Sequence, residues 1–542
     1  MSQKEIVRFQ LDKKELKVPK KTRIILISDS HVSTHNEIFN EQMFLKGIQE
    51  INKIKNIDHV IHLGDLTHDG TMSDYLRYLT LMEKLRPGLR DKLHTIPGNH
   101  DSKNVGYRLY EEMVSEERNF LIELSNEAVI FGVDSTEPDQ DEGEIGFRTT
   151  SLFKKLISQY PGFVLFCFHH QLVPIPKTGR ERSAITDAGN VLKMLLDSNV
   201  NLVLNGHRHI TNLYSMTDGD GELVVFNAGT FSCNKTRYRQ LWTYTILDID
   251  DELIKFTIRL IRDARDFDII SRPTIAGTKP PRIKPGAKVA AKIIHMANSN
   301  FSARNTYDET AWKLAVKKIN EMDCNLVVHT GNLVANTYNE DYQMAKAMMS
   351  DFIHPTLIIP GHNETEYPMS WRFFEKYIGS TDPFYDKDNI LFFGLNSCQT
   401  GIKKGVIGRR VLMDVLNRGM GELPRKIVGV GLFHEIIPSP MQRWTAPLLD
   451  AGDVLNLFAQ SGIDLILSGS SYSNWTVQVE NAIFSSCGAV ADKKAFYYKE
   501  IGNSFNIITV YENGIIKIEE HQIQNKKTRE KRVFKIPVFA NC

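Results

Sequence analysis

Cysteine is scarce in this chain. Among 542 residues there are six, Cys167, Cys233, Cys324, Cys398, Cys487 and Cys542, and no two form a Cys-x-x-Cys pair. That spacing excludes a zinc ribbon and a dense disulfide framework. No apolar run approaches the roughly 20 residues needed to cross a bilayer, and the amino-terminal MSQKEIVRFQ has no apolar stretch resembling a secretory leader. Together these absences predict a cytoplasmic protein with no membrane span. An excess of one charge is missing too: Lys plus Arg is 66, Asp plus Glu is 65, and the net charge is +1. The balance argues against a nucleic-acid partner, whose long anionic path would favour basic surface. What is present is ordinary globular composition, with 42% hydrophobic and 24% charged residues, enough for a sizeable core. The length predicts two large domains or three smaller ones.

Short apolar runs ending in polar punctuation predict strands at Arg23–Ser28, Val60–Leu63, Val164–Phe168 and Leu202–Leu204. Between them lie helical patterns. In residues 39–57, Phe44, Ile48, Ile51 and Ile54 recur at helical spacing, and residues 76–85 and 188–196 read the same way. Alternating strands and helices predict α/β layers with buried, mostly parallel strands. Residues 222–226, 241–249 and 253–260 alternate more like antiparallel strands. Residues 271–288, SRPTIAGTKPPRIKPGAK, hold four prolines and two glycines and read as a linker. The expected division is therefore a first domain over 1–270 and a second over 289–542.

In the first domain, polar clusters follow the strand runs in order. They are Asp29 and His31, Asp65 in GDLTHDG, Asn99-His100-Asp101 in PGNHD, His169-His170, and His207 with His209 in GHRH. The carboxyl ends of strands are where α/β sheets bind ligands, so five loops can converge there. Carboxylate, imidazole and amide oxygen suit Mn, Fe, Zn or similar divalent ions. Asp65 could bridge two ions about 3.5–4 Å apart, as in two-metal hydrolases. An extended backbone would put Asp29 and His31, and likewise His207 and His209, on one side of their strand ends. Each cluster alone is common; the ordered set carries the reading.

These motifs, D-x-H, G-D, G-N-H-D, H and G-H-x-H, resemble the calcineurin-like metallophosphoesterase superfamily over about residues 20–260. PGNHD, FHH and GHRH look most like its bacterial cyclic-nucleotide and glycerophosphodiester phosphodiesterases. The resemblance implies a four-layer α/β/β/α sandwich with a binuclear centre between the sheets. It implies Asp29, His31 and His209 on one metal, Asn99, His169 and His207 on the other, and Asp65 bridging both. His100 would contact the scissile phosphate as general acid or charge stabiliser, with Asp101 orienting it. His169 is chosen over His170, which becomes a substrate-facing candidate together with His68 and Asp69. The implied reaction is hydrolysis of a small phosphodiester, such as a cyclic nucleotide or glycerophosphodiester, by a metal-bound hydroxide. A phosphomonoesterase, a nucleotide-lipid pyrophosphatase, a nuclease, or a regulatory protein whose second half senses a ligand are the alternatives.

The second half repeats the first. RIILISDSHVS (23–33) matches KIIHMANSNFS (292–302), HLGDL (62–66) matches HTGNL (329–333), and TIPGNHD (95–101) matches IIPGHNE (358–364). FGVDS (131–135) matches FGLNS (393–397), FHHQLVP (168–174) matches FHEIIP (433–438), and LVLNGHRH (202–209) matches LILSGSSY (465–472). A repeat of whole-domain size predicts two tandem sandwiches. The ligands change: Asp29 becomes Asn298, His31 Asn300, Asp65 Asn332, His207 Ser470, His209 Tyr472, and His170 Glu435. His434 is expected at the one ligand place kept. The second domain is thus expected to bind no binuclear centre, although His362, His434 and Glu435 leave another chemistry open. A homo-oligomer through this half is allowed.

Overall fold

The computed structural model describes residues 21–536 apart from residues 125–127, 161, 182–183, 239, 275–280, 305–306, 420–425, 444–447 and 494–501. The chain forms two units, one mostly of residues up to 277 and one mostly of residues from 278.

Among the described residues the first unit has the strands β1 (Thr22–Ile27), β2 (His59–His62), β3 (Leu93–Thr95), β4 (Phe120–Leu124), β5 (Ala128–Gly132), β6 (Val164–Cys167), β7 (Leu202–Asn205), β8 (Asn212–Thr217), β9 (Glu222–Asn227), β10 (Thr243–Ile249), β11 (Leu253–Leu260) and β12 (Arg265–Pro273). One sheet runs in the order β12-β11-β10-β1-β2-β3, and a second runs β8-β9-β7-β6-β5-β4. Their facing sides share one apolar core. Leu26 and Leu63 come from the first sheet, and Ile130, Leu165, Leu204 and Phe226 from the second. Each such fully buried side chain contributes about 2 kcal/mol of transfer free energy.

Helices cover the outer faces. Helix Glu41–Lys53 turns Phe44, Ile48 and Ile51 onto the first sheet, beside Tyr75 and Tyr78 of helix Met72–Met82. Its start is set by Asn40, whose side chain accepts the Met43 N–H at 3.1 Å, a cap worth about 1 kcal/mol. The helix is shorter than the apolar spacing predicts, because Ile54 is already extended at its carboxyl cap. On the second sheet, Phe131 and Phe166 pack edge-on against Phe153 of helix Phe147–Ile157, with ring centroids 5.4 and 5.2 Å apart. The first unit thus has the four-layer α/β/β/α order.

Two expectations are corrected by the pairing. β9 lies parallel to β7, with Leu202 opposite Val224. Its alternating sequence had suggested an antiparallel strand, but both faces of β9 are largely buried, so alternation carries no direction there. The expected linker also begins later, because β12 continues its antiparallel ladder with β11 as far as the pair Leu253 and Pro273.

The second unit contains β13 (Val289–Met296), β14 (Leu326–Thr330), β15 (Thr356–Ile359), β16 (Phe384–Lys387), β17 (Ile390–Leu395), β18 (Ile427–Leu432), β19 (Leu465–Ser468), β20 (Trp475–Val479), β21 (Ala482–Ser486), β22 (Ser504–Tyr511), β23 (Ile515–Gln522) and β24 (Lys527–Lys535). Its sheets run β15-β14-β13-β22-β23-β24 and β16-β17-β18-β19-β21-β20. β13 pairs parallel with β14 and antiparallel with β22, as β1 does with β2 and β10. Among the described residues, no helix is long and apolar enough to cross a membrane.

Candidate metal centre

Every polar cluster of the first unit begins just past a strand end: Asp29 after β1, Asp65 after β2, Asn99 after β3, His169 after β6 and His207 after β7. The backbone there is not extended as expected. Asp29, His31, Asp65, His207 and His209 have φ of 52°, 48°, 55°, 69° and 56°. Left-handed residues at alternate positions fold the loop back across the sheet edge. Backbone bonds from Asp29 N–H to the Gly64 carbonyl (3.0 Å) and from His31 N–H to the Asp65 carbonyl (2.9 Å) hold that shape. Each such non-glycine residue costs on the order of 1 kcal/mol, and this strain sits at the candidate ligands. Gly98 is needed for closeness: a Cβ there would stand 2.2 Å from Asp65 Oδ1. Gly98→Ala is expected to displace the Asp65 carboxylate and weaken metal affinity at least about tenfold, read by metal content after dialysis.

The loops bring two groups of donors together around one residue. Asp29, His31, Asp65 and His209 form one buried group, and Asp65, His169 and His207 form the other. Asp65 Oδ2 is 3.3 Å from His31 Nε2 and 3.3 Å from His169 Nε2. On the first side, His31 Nε2 and His209 Nε2 are 3.1 Å apart, and His209 Nε2 is 3.4 Å from Asp29 Oδ1. On the second side, Asn99 Oδ1 is 3.3 Å from His169 Nε2 and 3.1 Å from His207 Nδ1. Ring nitrogens that converge at such distances, together with carboxylates, fit divalent cations.

Burial holds His31 and His207 well below the ordinary imidazole range and His209 down to about 3. Neutral imidazoles keep the lone pair that a cation takes. His169 differs: burial lowers it, but the Asp65 charge beside it raises it to about 9, so a cation there must displace a proton. Burial alone would raise Asp65, but His169, His100 and His31 around it hold it well below the usual carboxylate range. Burial pushes Asp29 up to about 7, with the Asp65 charge adding to the rise.

The remaining candidates separate clearly. His100 donates its backbone N–H to Asp65 Oδ1 at 2.9 Å, and its Nδ1 lies 2.6 Å from the His68 carbonyl oxygen. His68 stacks on His100 with centroids 4.6 Å apart, and its Nδ1 is 3.1 Å from His31 Nδ1. Asp101, expected to orient His100, does something else. Its buried carboxylate accepts the N–H groups of Leu66 (3.0 Å), Thr67 (2.8 Å) and Gly98 (2.9 Å) and the Thr67 hydroxyl (2.9 Å). It ties the Asp65 loop to the Asn99 turn, and the His68 carbonyl orients the His100 ring. Asp101→Asn is expected to destabilise the protein by about 2 kcal/mol in denaturant unfolding, since charge-assisted bonds to three N–H groups are weakened.

Of the two places open to His170, facing substrate or supporting the ligands from behind, the second fits: it is fully buried, with Nδ1 2.9 Å from Ser135 Oγ. Sequence reasoning missed Lys103, whose ammonium is 2.8 Å from His100 Nδ1, and Cys233, which lies in a buried group with His31 and His209. The Lys103 signal was its place three residues after His100; nothing near Cys233 marked it.

The matching loops of the second unit realign one residue. His434 N–H and Nδ1 both meet Ser397 Oγ, at 3.3 and 2.9 Å. His170 N–H and Nδ1 meet Ser135 Oγ in the same way, at 3.4 and 2.9 Å. The Phe433 carbonyl accepts from Gly469 N–H (3.0 Å) where the His169 carbonyl accepts from Gly206 N–H (2.9 Å). His434 therefore stands at the His170 place, and Phe433 at the His169 place. Matching FHH to FHE by their shared letters had shifted the pair by one; LFHEIIP against FHHQLVP needs no gap.

A family model described as calcineurin-like phosphoesterase matches residues 22–211. A "Probable cyclic nucleotide phosphodiesterase" of Ruthia magnifica subsp. Calyptogena magnifica is 30% identical over 195 residues, 34% of this chain and 77% of that protein. A "Probable glycerophosphodiester phosphodiesterase" of Arcobacter nitrofigilis is 27% identical over 180 residues, 30% of this chain and 64% of that protein. The purple acid phosphatase PPD1 from yellow lupin (Lupinus luteus) seeds aligns with a TM-score of 0.39 and 13% identity over 50% of this chain and 58% of that one. The family match runs through every cluster from Asp29 to His209, and the chain belongs to the calcineurin-like phosphoesterases as a metal-dependent phosphohydrolase.

Proposed function

We propose that the first unit hydrolyses a small phosphodiester, such as a cyclic nucleotide or a glycerophosphodiester, with two divalent ions. The observation that carries the reading is Asp65 Oδ2, equidistant at 3.3 Å from one imidazole of each donor group. Asp29, His31 and His209 would hold one ion, Asn99, His169 and His207 the other, and Asp65 both. Bound there, the ions would supply charge neutralisation for the anionic ester and a lowered pKa for water. With its Nδ1 proton given to the His68 carbonyl, His100 has Nε2 left to hold a proton for the departing oxygen. A panel of bis-p-nitrophenyl phosphate, p-nitrophenyl phosphate, cyclic AMP and single-stranded DNA, run with Mn²⁺, tests this. Diesters turned over well ahead of p-nitrophenyl phosphate support the reading, and the reverse order overturns it.

The second unit is, in this reading, a copy that has lost its metals. Its counterparts of the ligands are Asn298, Asn300, Asn332, His362, Phe433, Ser470 and Tyr472, so no carboxylate or imidazole pair remains to hold two cations. The fold supports a common origin: Asn298, Asn300 and Asn332 keep φ of 56°, 51° and 54°, which Asn tolerates better than most residues. Metal analysis of the full chain is expected to find about two ions per chain, and about four would refute the loss. Cys167, Cys233, Cys324 and Cys398 form no disulfide among the described residues, which suits a reducing compartment such as the cytoplasm.

A further inference from the structure

The second unit keeps a cavity of about 210 Å³ at the strand ends that correspond to the metal centre. Only half of that centre stays open. On the side matching Asp29, His31 and His209, the replaced residues satisfy one another. Asn300 Nδ2 and the Tyr472 hydroxyl both donate to Asp492 Oδ2, at 2.9 and 2.7 Å. Asn332 Nδ2 donates to Asn298 Oδ1 and Asn363 Nδ2 to Asn300 Oδ1, each at 3.0 Å. The other side, matching Asn99, His169 and His207, is now His362, Phe433 and Ser470, and these line the cavity.

The lining is cationic. Lys403 and Arg443 stand in it with His362, and Glu435 is its one carboxylate. Glu435 is mostly buried and accepts the Ser439 hydroxyl at 2.8 Å. Lys403 is held in place through its carbonyl, 2.9 Å from His434 Nε2, and its ammonium makes no ion pair among the described residues. The enclosed Nδ1 of His362 has no hydrogen-bond partner among the described residues. Ser470 Oγ accepts the Glu435 N–H at 3.2 Å, which leaves its own O–H to donate. Two strong cations, an imidazole and a hydroxyl around a small space make a donor set for an oxyanion.

We propose that this cavity binds a small phosphate dianion, either free or as a terminal monoester. Its volume falls below the roughly 300–1,000 Å³ of drug-sized pockets. It has room for a phosphate with a few attached atoms. A phosphomonoester is also what a diesterase releases, so the second unit would read the product class of the first; the binding itself does not rest on that reading.

The test is isothermal titration of the full chain after chelator treatment, which keeps the first unit from holding phosphate through metal. Inorganic phosphate and glycerol 3-phosphate are the two probes, with malonate as the carboxylate control. Saturable binding of either phosphate probe at one site is expected, weakened at least tenfold in the double variant Lys403→Ala/Arg443→Ala and unchanged in Asp65→Asn. The probe that binds tighter distinguishes the free anion from the ester. Absence of saturable binding of both probes, equal binding by the double variant, loss in Asp65→Asn, or malonate binding as tightly would each overturn the proposal.

Discussion

Asp65→Asn is expected to remove both ions and to lower kcat/KM on a diester by about a thousandfold or more, ~4 kcal/mol of barrier. The side chains are nearly isosteric, so the loss isolates charge. Asp65 Oδ2 faces His31 Nε2 and His169 Nε2 at 3.3 Å each, and an amide there brings no negative charge to share between two cations. Its NH₂ would also turn a donor toward the candidate metal ligands. The second unit shows where such an amide goes: Asn332 Nδ2 donates to Asn298 Oδ1 at 3.0 Å. Metal analysis and turnover must fall together. Full activity with both ions retained would remove Asp65 from the bridging role.

His100→Asn is expected to cost about 10²–10⁴-fold in kcat while both ions stay bound. The penalty should be largest for alkyl leaving groups, which need a proton, and smallest for p-nitrophenolate. The pH profile gives an independent readout. Burial lowers the His100 pKa first, the Asp65 charge opposes this, and Lys103 beside it lowers it further. The protonated acid is therefore lost as pH rises through a pKa below the ordinary 6.5 of histidine. Activity on alkyl diesters that depends on this proton should decline as pH rises through that pKa, a descending limb with its midpoint below 6.5. Lys103→Met removes a neighbouring positive charge, so the limb should move to higher pH. A limb that stays in place would mean that another group carries the proton.

Much of this was legible in the chain. Four of the five clusters from Asp29 to His209 stand after an apolar run, and those runs are β1, β2, β6 and β7. β3 is only three residues long and carries His94 at its centre, so apolar patterning could not mark it. The parallel course of β9 was hidden because burial on both faces leaves no alternation tied to direction. The Phe433 and His434 register was hidden for a different reason. Two adjacent histidines offered two equally good letter matches, and only the hydrogen bonds to Ser135 and Ser397 distinguish them.

Residue type and order alone determined the family, the donor chemistry and the loss of charge in the second half. Those properties belong to side chains, and Asn in place of Asp is neutral wherever it lies. Tertiary structure decided the rest. It turned Asp29, His31, Asp65, His207 and His209 into left-handed backbone, moved Asp101 from the His100 ring to the loops, and buried His170. It also closed one half of the second unit's strand-end site around Asp492 and left the other half open beside Lys403 and Arg443. These outcomes depend on which groups meet across sheets that bring together residues far apart in sequence. Hydrogen-bond satisfaction and burial act only on neighbours in space.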